Sequence, residues 1–212
     1  MTVKNVYLTI DDAPSRYLQN KIDFLSKNRI PAIFFCRGEF IPPHTQSIID
    51  TIQKGFLIGN HSYTHPYFSK ITLEQCFDEI LKTENLIEKC YQQAKIKRPI
   101  KVIRLPFGDR GINQNIPKIQ NFLKKQGFVA SNLDYLVPDN YIDIGWDWDP
   151  LDYKTKFINN IENYKNSLAE YYKNTTQTTQ ILLLHDFEHN HHLFEITMEF
   201  LLIKNINFLS LF

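Results

Sequence analysis

Two acids and two histidines in this chain have the residue types and spacing of a metal site. Asp11 and Asp12 follow an apolar run, and His61 and His65 lie four positions apart in a polar segment. Two imidazoles and one carboxylate, with coordination positions left open for water, suit zinc or another late divalent transition metal. On a helical turn, the histidine spacing would set both rings on one side. For the acids alone, the competing interpretation is a helix N-cap before Ser15.

Three further residues could move protons or stabilise charge near such a metal. Adjacent side chains on an extended segment diverge, so one of Asp11 and Asp12 could bind the cation while the other accepts a proton. His185 follows a buried apolar run, which is a suitable position for a general acid. Arg104 could pair with Asp11, although a purely structural ion pair is the alternative. The tight turn after Arg104 could direct the backbone N–H of Phe107 into a cleft as an oxyanion donor.

The segment of residues 146–153 combines acids with aromatic rings. It contains Trp146, Trp148 and Tyr153 together with three aspartates. Aromatic rings stack on the faces of sugars, and acids hydrogen-bond hydroxyl groups or orient a histidine. A loop of packing aromatics and solvated acids is the alternative. We interpret the later histidines, His189, His191 and His192, as surface residues.

Alternating short β-rich runs and longer helix-period segments predict the elements that position these side chains. We predict strands at Val6–Ile10, Ala32–Cys36, Phe56–Gly59, Val102–Leu105, Phe128–Ser131, Ile142–Trp146, Ile181–Leu184 and Asn207–Phe212. We predict helices at Ser15–Asn28, Thr45–Lys54, Thr72–Tyr91, Ile116–Gln126, Lys156–Lys173 and His192–Ile203.

This pattern favours an α/β fold, a distorted (β/α) barrel of the TIM type with seven to eight strands in a single domain spanning residues 1–212. Periodicity alone does not exclude an open doubly wound sheet. In either architecture, the chemistry gathers at the carboxyl ends of the strands, where all the residues above are predicted to lie.

Composition restricts the partners. The chain has 24 basic and 23 acidic residues and a net charge of +1, which gives no field that would attract nucleic acid or an anionic membrane. No apolar stretch approaches the ~18 residues of a membrane span. Three cysteines lack metal-ligand spacing, and Cys36 is predicted to be a core thiol. Without a recognisable signal peptide, we expect a cytoplasmic protein as written, or an exported one if the sequence was trimmed.

Five segments, taken in order, resemble the motifs of the polysaccharide deacetylase family of carbohydrate esterases, which includes chitooligosaccharide and peptidoglycan deacetylases. They are T-I-D-D-A-P at residues 9–14, H-S-Y-T-H at 61–65, R-L-P-F-G at 104–108, D-P-L-D-Y at 149–153 and L-L-H-D at 183–186. The resemblance covers nearly the whole chain and implies a distorted β/α barrel. It also implies removal of an acetyl group from an N-acetylated glycan or small N-acetyl sugar.

The resemblance further implies the role of each residue. Asp12, His61 and His65 would bind one divalent metal ion, zinc with cobalt or nickel as alternatives, and Asp11 would be the base toward a metal-activated water. His185 would be the general acid, Arg104 would orient Asp11, and Asp152 would support His185. Leu183 would help to wall the acyl pocket. From the turn and the aromatic residues described above, we also predict oxyanion and substrate contacts from Phe107, Tyr153 and Trp148.

Two positions depart from the family pattern. Ala13 replaces a usual glycine, which is a small change unless that backbone is left-handed. Tyr153 replaces a usual tryptophan and adds a hydroxyl near the acid.

Three other functions remain open on sequence grounds. The same fold could hydrolyse a linear or cyclic amide that is not a carbohydrate, or it could be a catalytically weak sugar-binding relative. A metal-storage or sensor protein would instead use His191 and His192. The identity of the glycan and the oligomeric state are not predicted.

Overall fold

A computed structural model describes residues 3–131 and 141–212 as an α/β fold around a parallel sheet. The described residues form five strands, which are β1 (Asn5–Ala13), β2 (Ala32–Cys36), β3 (Leu57–Asn60), β4 (Thr179–His185) and β5 (Asn207–Phe208). The order across the sheet is β3-β2-β1-β4, and β5 also pairs with β1. Every strand pair is parallel, as predicted for βα units.

Single contacts, not further strands, close the sheet into the expected distorted barrel. Asn60 bridges to Ile103, the Ile144 N–H donates to the Ile103 carbonyl at 2.9 Å, and Trp148 bridges to Leu182 on β4. The strands predicted at Val102–Leu105, Phe128–Ser131 and Ile142–Trp146 are therefore wrong as regular strands, and the total of seven to eight is not reached in the described residues.

The Arg104 side chain explains part of this irregularity. Its guanidinium donates to the carbonyls of Ile144 at 2.9 Å and Gly145 at 2.8 Å. A side chain thus takes acceptors that a backbone ladder would otherwise use. Pro106, which has no N–H, ends any extension of the preceding segment.

Helices cover the outside of the sheet close to their predicted positions. They are α1 (Leu18–Lys27), α2 (Thr45–Gln53), α3 (Leu73–Ala94), α4 (Ile116–Lys125), α5 (Thr155–Ile158), α6 (Ile161–Asn174) and α7 (His191–Ile203). Thr72 and Gln75 form the predicted capping box of α3. The segment predicted as one helix at Lys156–Lys173 is two, because the Asn160 side chain caps α6 by accepting from the Asn163 N–H at 3.0 Å.

Alternation along the strands separates two layers of the core. Leu8, Ile10, Phe34 and Leu182 belong to a large cluster that includes the buried faces of the helices. Residues of the opposite parity, including Ile33, Phe35 and Ile181, form a second cluster with Val102 and Ile144, which we assign to the barrel interior. Within the described residues, no helix has both the length and the apolar character that crossing a membrane requires.

Candidate active site

The polar residues selected from the sequence converge on one cleft of about 300 Å³ at the carboxyl ends of β1 and β4. The lining side chains are Asp11, Asp12, Arg37, His61, His65, Phe107, Trp146, Asp149, Tyr153, Leu183, His185 and Phe187. Period-two alternation explains why Leu183 and His185 of β4 both reach this cleft.

A bulge at the end of β1 brings both adjacent acids to the cleft. The pairing of β1 with β2 shifts register between Ile10 and Ala13, and Asp12 adopts a left-handed backbone with φ of 60°. Such a bulge redirects a side chain that a regular strand would send to the other face. The predicted divergence of Asp11 and Asp12 is thus wrong, since both line one cleft. Ala13 itself is buried and is not among the described residues of positive φ, so the backbone accommodates alanine there.

His61 and His65 lie in an irregular loop after β3, so the predicted helical turn is wrong. Ser62 and His65 each have a φ of 61°, and the Ser62 hydroxyl accepts from the His65 N–H at 3.1 Å. The Glu79 carboxylate on α3 accepts from two consecutive N–H groups of the loop at 2.9 and 2.7 Å. This geometry brings the two Nε2 atoms to 3.1 Å from each other.

Asp12, His61 and His65 fit a divalent metal ion. Their candidate ligand atoms all lie within 4.8 Å of one another. Nδ1 of His61 lies 2.7 Å from the Arg104 carbonyl and donates to it, which leaves the Nε2 lone pair for a metal. Oδ1 of Asp12 is buried without a hydrogen-bond partner, a costly arrangement that a cation would relieve.

Protonation of these side chains is consistent with ligand roles. Burial, followed by the neighbouring His61, lowers the pKa of His65 to about 3, so its imidazole is neutral as a metal ligand must be. Burial raises the pKa of Asp12, so its ionised form depends on nearby positive charge. Across the described residues, this is the one group of three side chains that could hold a metal ion, and the histidines at 189–192 form none.

Arg104 fixes Asp11 from beneath the cleft. Its Nη1 donates to Oδ1 of Asp11 at 2.9 Å and to the Thr9 hydroxyl at 2.8 Å, and both charged side chains are buried. Oδ2 of Asp11 lies 3.5 Å from Nε2 of His61. One carboxylate oxygen is therefore held by the guanidinium, while the other faces the candidate metal ligands.

Asp152 fixes His185 in a similar way. Its carboxylate accepts from Nδ1 of His185 at 2.7 Å and from the backbone N–H of His185 at 2.9 Å. Burial alone would lower the pKa of His185, but the Asp152 charge and hydrogen bond outweigh it and raise this pKa to about 9. The imidazole is therefore protonated at neutral pH and can donate a proton within the cleft.

Aromatic and apolar side chains form much of the remaining wall. Tyr153 packs edge-on against His185 with ring centroids 4.8 Å apart, and Phe107 stacks on Tyr67 at 3.9 Å. Leu183 also lines the cleft. The assignment of the Phe107 N–H as an oxyanion donor stays a prediction.

Trp148 does not contact the cleft, which corrects its predicted substrate role. Its side chain is fully buried and stacks on Tyr171 at 4.8 Å, because its backbone bridge to Leu182 directs it into the helical core. Trp146, two positions earlier, lines the cleft instead.

Several cleft residues were not predicted from the sequence. Arg37 follows β2 and places Nη1 3.8 Å from Oδ1 of Asp12, while it also pairs with Glu39. Its position at the carboxyl end of a predicted strand was the available signal. Phe187 stacks on His185 with centroids 5.5 Å apart. Asp149, one of the three aspartates noted in residues 146–153, also lines the cleft.

A family model described as polysaccharide deacetylase matches residues 1–130. The chain is 28% identical over 159 residues to a peptidoglycan-N-acetylglucosamine deacetylase of Bacillus cereus, covering 74% of this chain and 50% of that protein. This chain therefore spans about half of that relative's length.

Two solved structures show the same fold. The peptidoglycan deacetylase PdaC of Bacillus subtilis is 23% identical with a TM-score of 0.70, over 98% of this chain and 88% of that one. A family 4 carbohydrate esterase pseudoenzyme of Bacillus anthracis is 20% identical with a TM-score of 0.69, over 97% and 63% of the two chains. The fold thus occurs with and without catalysis, so the side chains in the cleft must carry any argument about activity.

Proposed function

Because the chain belongs to the polysaccharide deacetylase family, we propose that it is a metal-dependent hydrolase that removes an acetyl group, N-linked or O-linked, from a carbohydrate. The observation that carries this proposal is the pair of contacts from Arg104 to Asp11 and from Asp152 to His185, which fix a base and an acid in one cleft. A sugar-binding relative without catalysis would have no need of two buried charged pairs beside a candidate metal site.

Asp12, His61 and His65 would hold the metal, and their ligand set suits zinc, with cobalt or nickel as alternatives. Such a cation, when bound, acts as a Lewis acid and lowers the pKa of water toward ~7. Oδ1 of Asp12 supplies the negative charge, and the tautomer of His61 is fixed by the Arg104 carbonyl.

Asp11 acts as the base. Arg104 holds Oδ1, so Oδ2 is the oxygen available to accept the proton of the attacking water. The acetyl carbonyl carbon gains the water oxygen, and the backbone N–H of Phe107 stabilises the negative charge that develops on the carbonyl oxygen.

His185 acts as the acid. Nδ1 of its ring is engaged by Asp152, so Nε2 is the nitrogen that donates a proton to the leaving amine or alcohol. The bond from the acetyl carbon to the sugar nitrogen or oxygen breaks, and acetate and the free sugar group result. Asp152 stabilises the charged ring before transfer and fixes its orientation.

The substrate we propose is an N-acetylated glycan or a small N-acetyl sugar. The chain has almost no net charge, and Phe107, Trp146 and Tyr153 offer aromatic faces against which a sugar ring can stack. Leu183 supplies an apolar wall against which an acetyl methyl group can pack. The Bacillus cereus relative and PdaC are both named as peptidoglycan deacetylases, which supports this substrate class.

Acetate release from N-acetylglucosamine oligomers, peptidoglycan fragments and simple amides tests the proposal, with metal-free protein reloaded separately with zinc, cobalt or nickel. We expect metal-dependent release from at least one glycan. The His61→Ala variant should lose both activity and the rise in melting temperature that zinc gives, because one ligand is gone. Hydrolysis of simple amides with no glycan turnover would refute the carbohydrate assignment, and metal-independent turnover would refute the metal role.

A further inference from the structure

The buried face of α1 carries a lysine in place of an apolar residue. Lys21 lies among Leu18, Ile22 and Leu25, and its Nζ contacts Oδ1 of Asp186 at 2.7 Å with both side chains fully buried. Replacing a buried ion pair by apolar residues of similar volume is often neutral or stabilising. Stability alone therefore does not explain why a lysine occupies this position.

The contacts of the pair connect it to both proposed catalytic residues. Nζ of Lys21 donates to the His185 carbonyl at 3.1 Å, and the Asp186 N–H donates to the Asp11 carbonyl at 2.8 Å. The ammonium thus holds the end of β4, while the residue it pairs with holds the end of β1.

Ser15 completes the connection from the segment that follows β1. Its backbone N–H and its hydroxyl both donate to the Asp186 carboxylate, at 2.6 and 2.9 Å. The remaining side of the ammonium faces the Phe194 ring, 5.5 Å from its centroid. Nζ of Lys21 and Oδ2 of Asp186 thus hold backbone atoms, and Oδ1 of Asp186 joins the ammonium to the Ser15 hydroxyl. Neither side chain is among those that line the cleft.

We propose that Lys21, paired with Asp186, is a positioning residue that fixes the separation of Asp11 from His185. The inference rests on the proposed function, since it assigns these two residues as base and acid. Acid and base must each be placed to within a fraction of an ångström, and a misplacement of about 1 Å can reduce turnover about 100-fold. A lysine that holds the His185 carbonyl supplies this constraint from behind the cleft.

The double variant Lys21→Met with Asp186→Asn tests the proposal. Removing one charge alone would leave its partner buried and unpaired, whereas the double exchange removes both and keeps the side-chain volumes similar. Lys27→Met, on the exposed side of the same helix, is the matched control. Leucine replaces methionine at position 21 if the first version does not fold.

We expect the double variant to keep the melting temperature within a few degrees, bind zinc as the wild type does and retain KM, while kcat falls about 10-fold to 100-fold. Lys27→Met should match the wild type in all four quantities. A double variant with wild-type kcat would overturn the proposal, as would a fall in kcat that merely follows a loss of folded protein.

Crystal structures of the wild type and the double variant provide a readout that does not require activity. We expect the separation of the Asp11 and His185 side chains to change by about 0.5 Å or more, since placement within about that distance is what a site requires. An unchanged separation would refute the inference. If the wild type hydrolyses no substrate, the proposed function fails, but this structural comparison still decides whether Lys21 positions the two residues.

Discussion

Asp11 and His185 are register partners at the last pair between β1 and β4, so the two residues lie side by side on neighbouring parallel strands. Each is held by a different buried partner, Arg104 for Asp11 and Asp152 for His185. Because these partners have opposite charges, the same frame stabilises a carboxylate and an imidazolium next to each other. This charge pattern is what hydrolysis by a separate base and acid requires.

The Asp11→Asn variant should separate proton transfer from metal binding. Asp11 is outside the proposed ligand set, and Arg104 keeps its carbonyl acceptors at Ile144 and Gly145, so we expect a folded protein that binds zinc normally. Without the base, kcat should fall about 100-fold or more. Zinc content by mass spectrometry and acetate release measure the two effects. In the control, Asp12→Asn should lose zinc, and a zinc-free Asp11→Asn protein would contradict the base assignment.

The pH dependence of activity should report the ionisation of His185. A general acid must be protonated, and the pKa of His185 is raised from 6.5 to about 9, so kcat/KM should fall as pH rises through about 9. The Asp152→Asn variant lacks the carboxylate charge that raises the pKa of His185, so its fall in kcat/KM should occur at lower pH. Rates measured between pH 6 and 10 decide the point, and an identical fall in both proteins would contradict the role of Asp152.

The same pKa shift has a consequence for folding. A group whose pKa is higher in the folded state stabilises that state while it is protonated. The stabilisation of the folded state by His185 should be complete below about pH 6.5 and should disappear as the pH rises through about 9. Urea denaturation of wild type and Asp152→Asn across this range should show the pH-dependent difference between them, and parallel curves would contradict it.

Arg37 should weaken metal binding. Its Nη1 lies 3.8 Å from the buried Oδ1 of Asp12, so it competes electrostatically with a cation for that oxygen. In Arg37→Gln, we expect zinc affinity to rise roughly tenfold, which corresponds to about 1.4 kcal/mol. Calorimetric titration measures the change. Arg16→Gln, an exchange at an exposed arginine, is the control, and weaker binding by Arg37→Gln would instead mean that Arg37 orients Asp12 for the metal.

The two tryptophans should respond differently to truncation. Trp148→Ala removes a fully buried ring and should lower the free energy of unfolding by about 3–5 kcal/mol. Trp146→Ala removes a partly exposed cleft residue and should mainly raise KM for a glycan substrate. Urea midpoints and steady-state kinetics on both variants provide the comparison. A raised KM with unchanged stability in Trp148→Ala would contradict the buried position.

Local sequence patterns were sufficient for the longer strands and for the helices other than the one predicted at Lys156–Lys173, which is two. β1, β2 and β4 are continuous apolar or alternating runs, and the Thr72 capping box marks the start of α3. Patterns could not distinguish a ladder from an isolated bridge, because the segments around Ile103 and Ile144 are as apolar as true strands. What separates them is a side-chain contact, since Arg104, which follows Ile103, takes the carbonyls of Ile144 and Gly145 that a ladder would use.

From the sequence, only those residues of the candidate site could be predicted whose residue type determines their chemistry. The carboxylates and imidazoles can be identified by their chemistry. The directions in which these side chains point depend on the backbone conformation, such as the left-handed φ of Asp12, which residue type does not predict. The sequence also could not show that Trp146, and not Trp148, lines the cleft. The backbone bridge from Trp148 to Leu182 turns the Trp148 ring into the core, and residue type does not reveal that bridge. Lys21 was missed because a lone lysine in a helical pattern normally indicates a solvated face.

Five of the eight described non-glycine residues with positive φ lie in the segments that form the cleft, namely Asp12, Ser62, His65, Phe107 and Leu151. Each such residue costs about 1–2 kcal/mol, against a net stability of about 5–15 kcal/mol for a typical domain. A laboratory selection for heat resistance alone would therefore favour glycine at Ser62, whose hydroxyl holds the His65 backbone. Such a lineage would gain thermal stability while the loop that carries the candidate ligands His61 and His65 lost its fixed conformation, so selection for thermostability and selection for the proposed activity should oppose each other here.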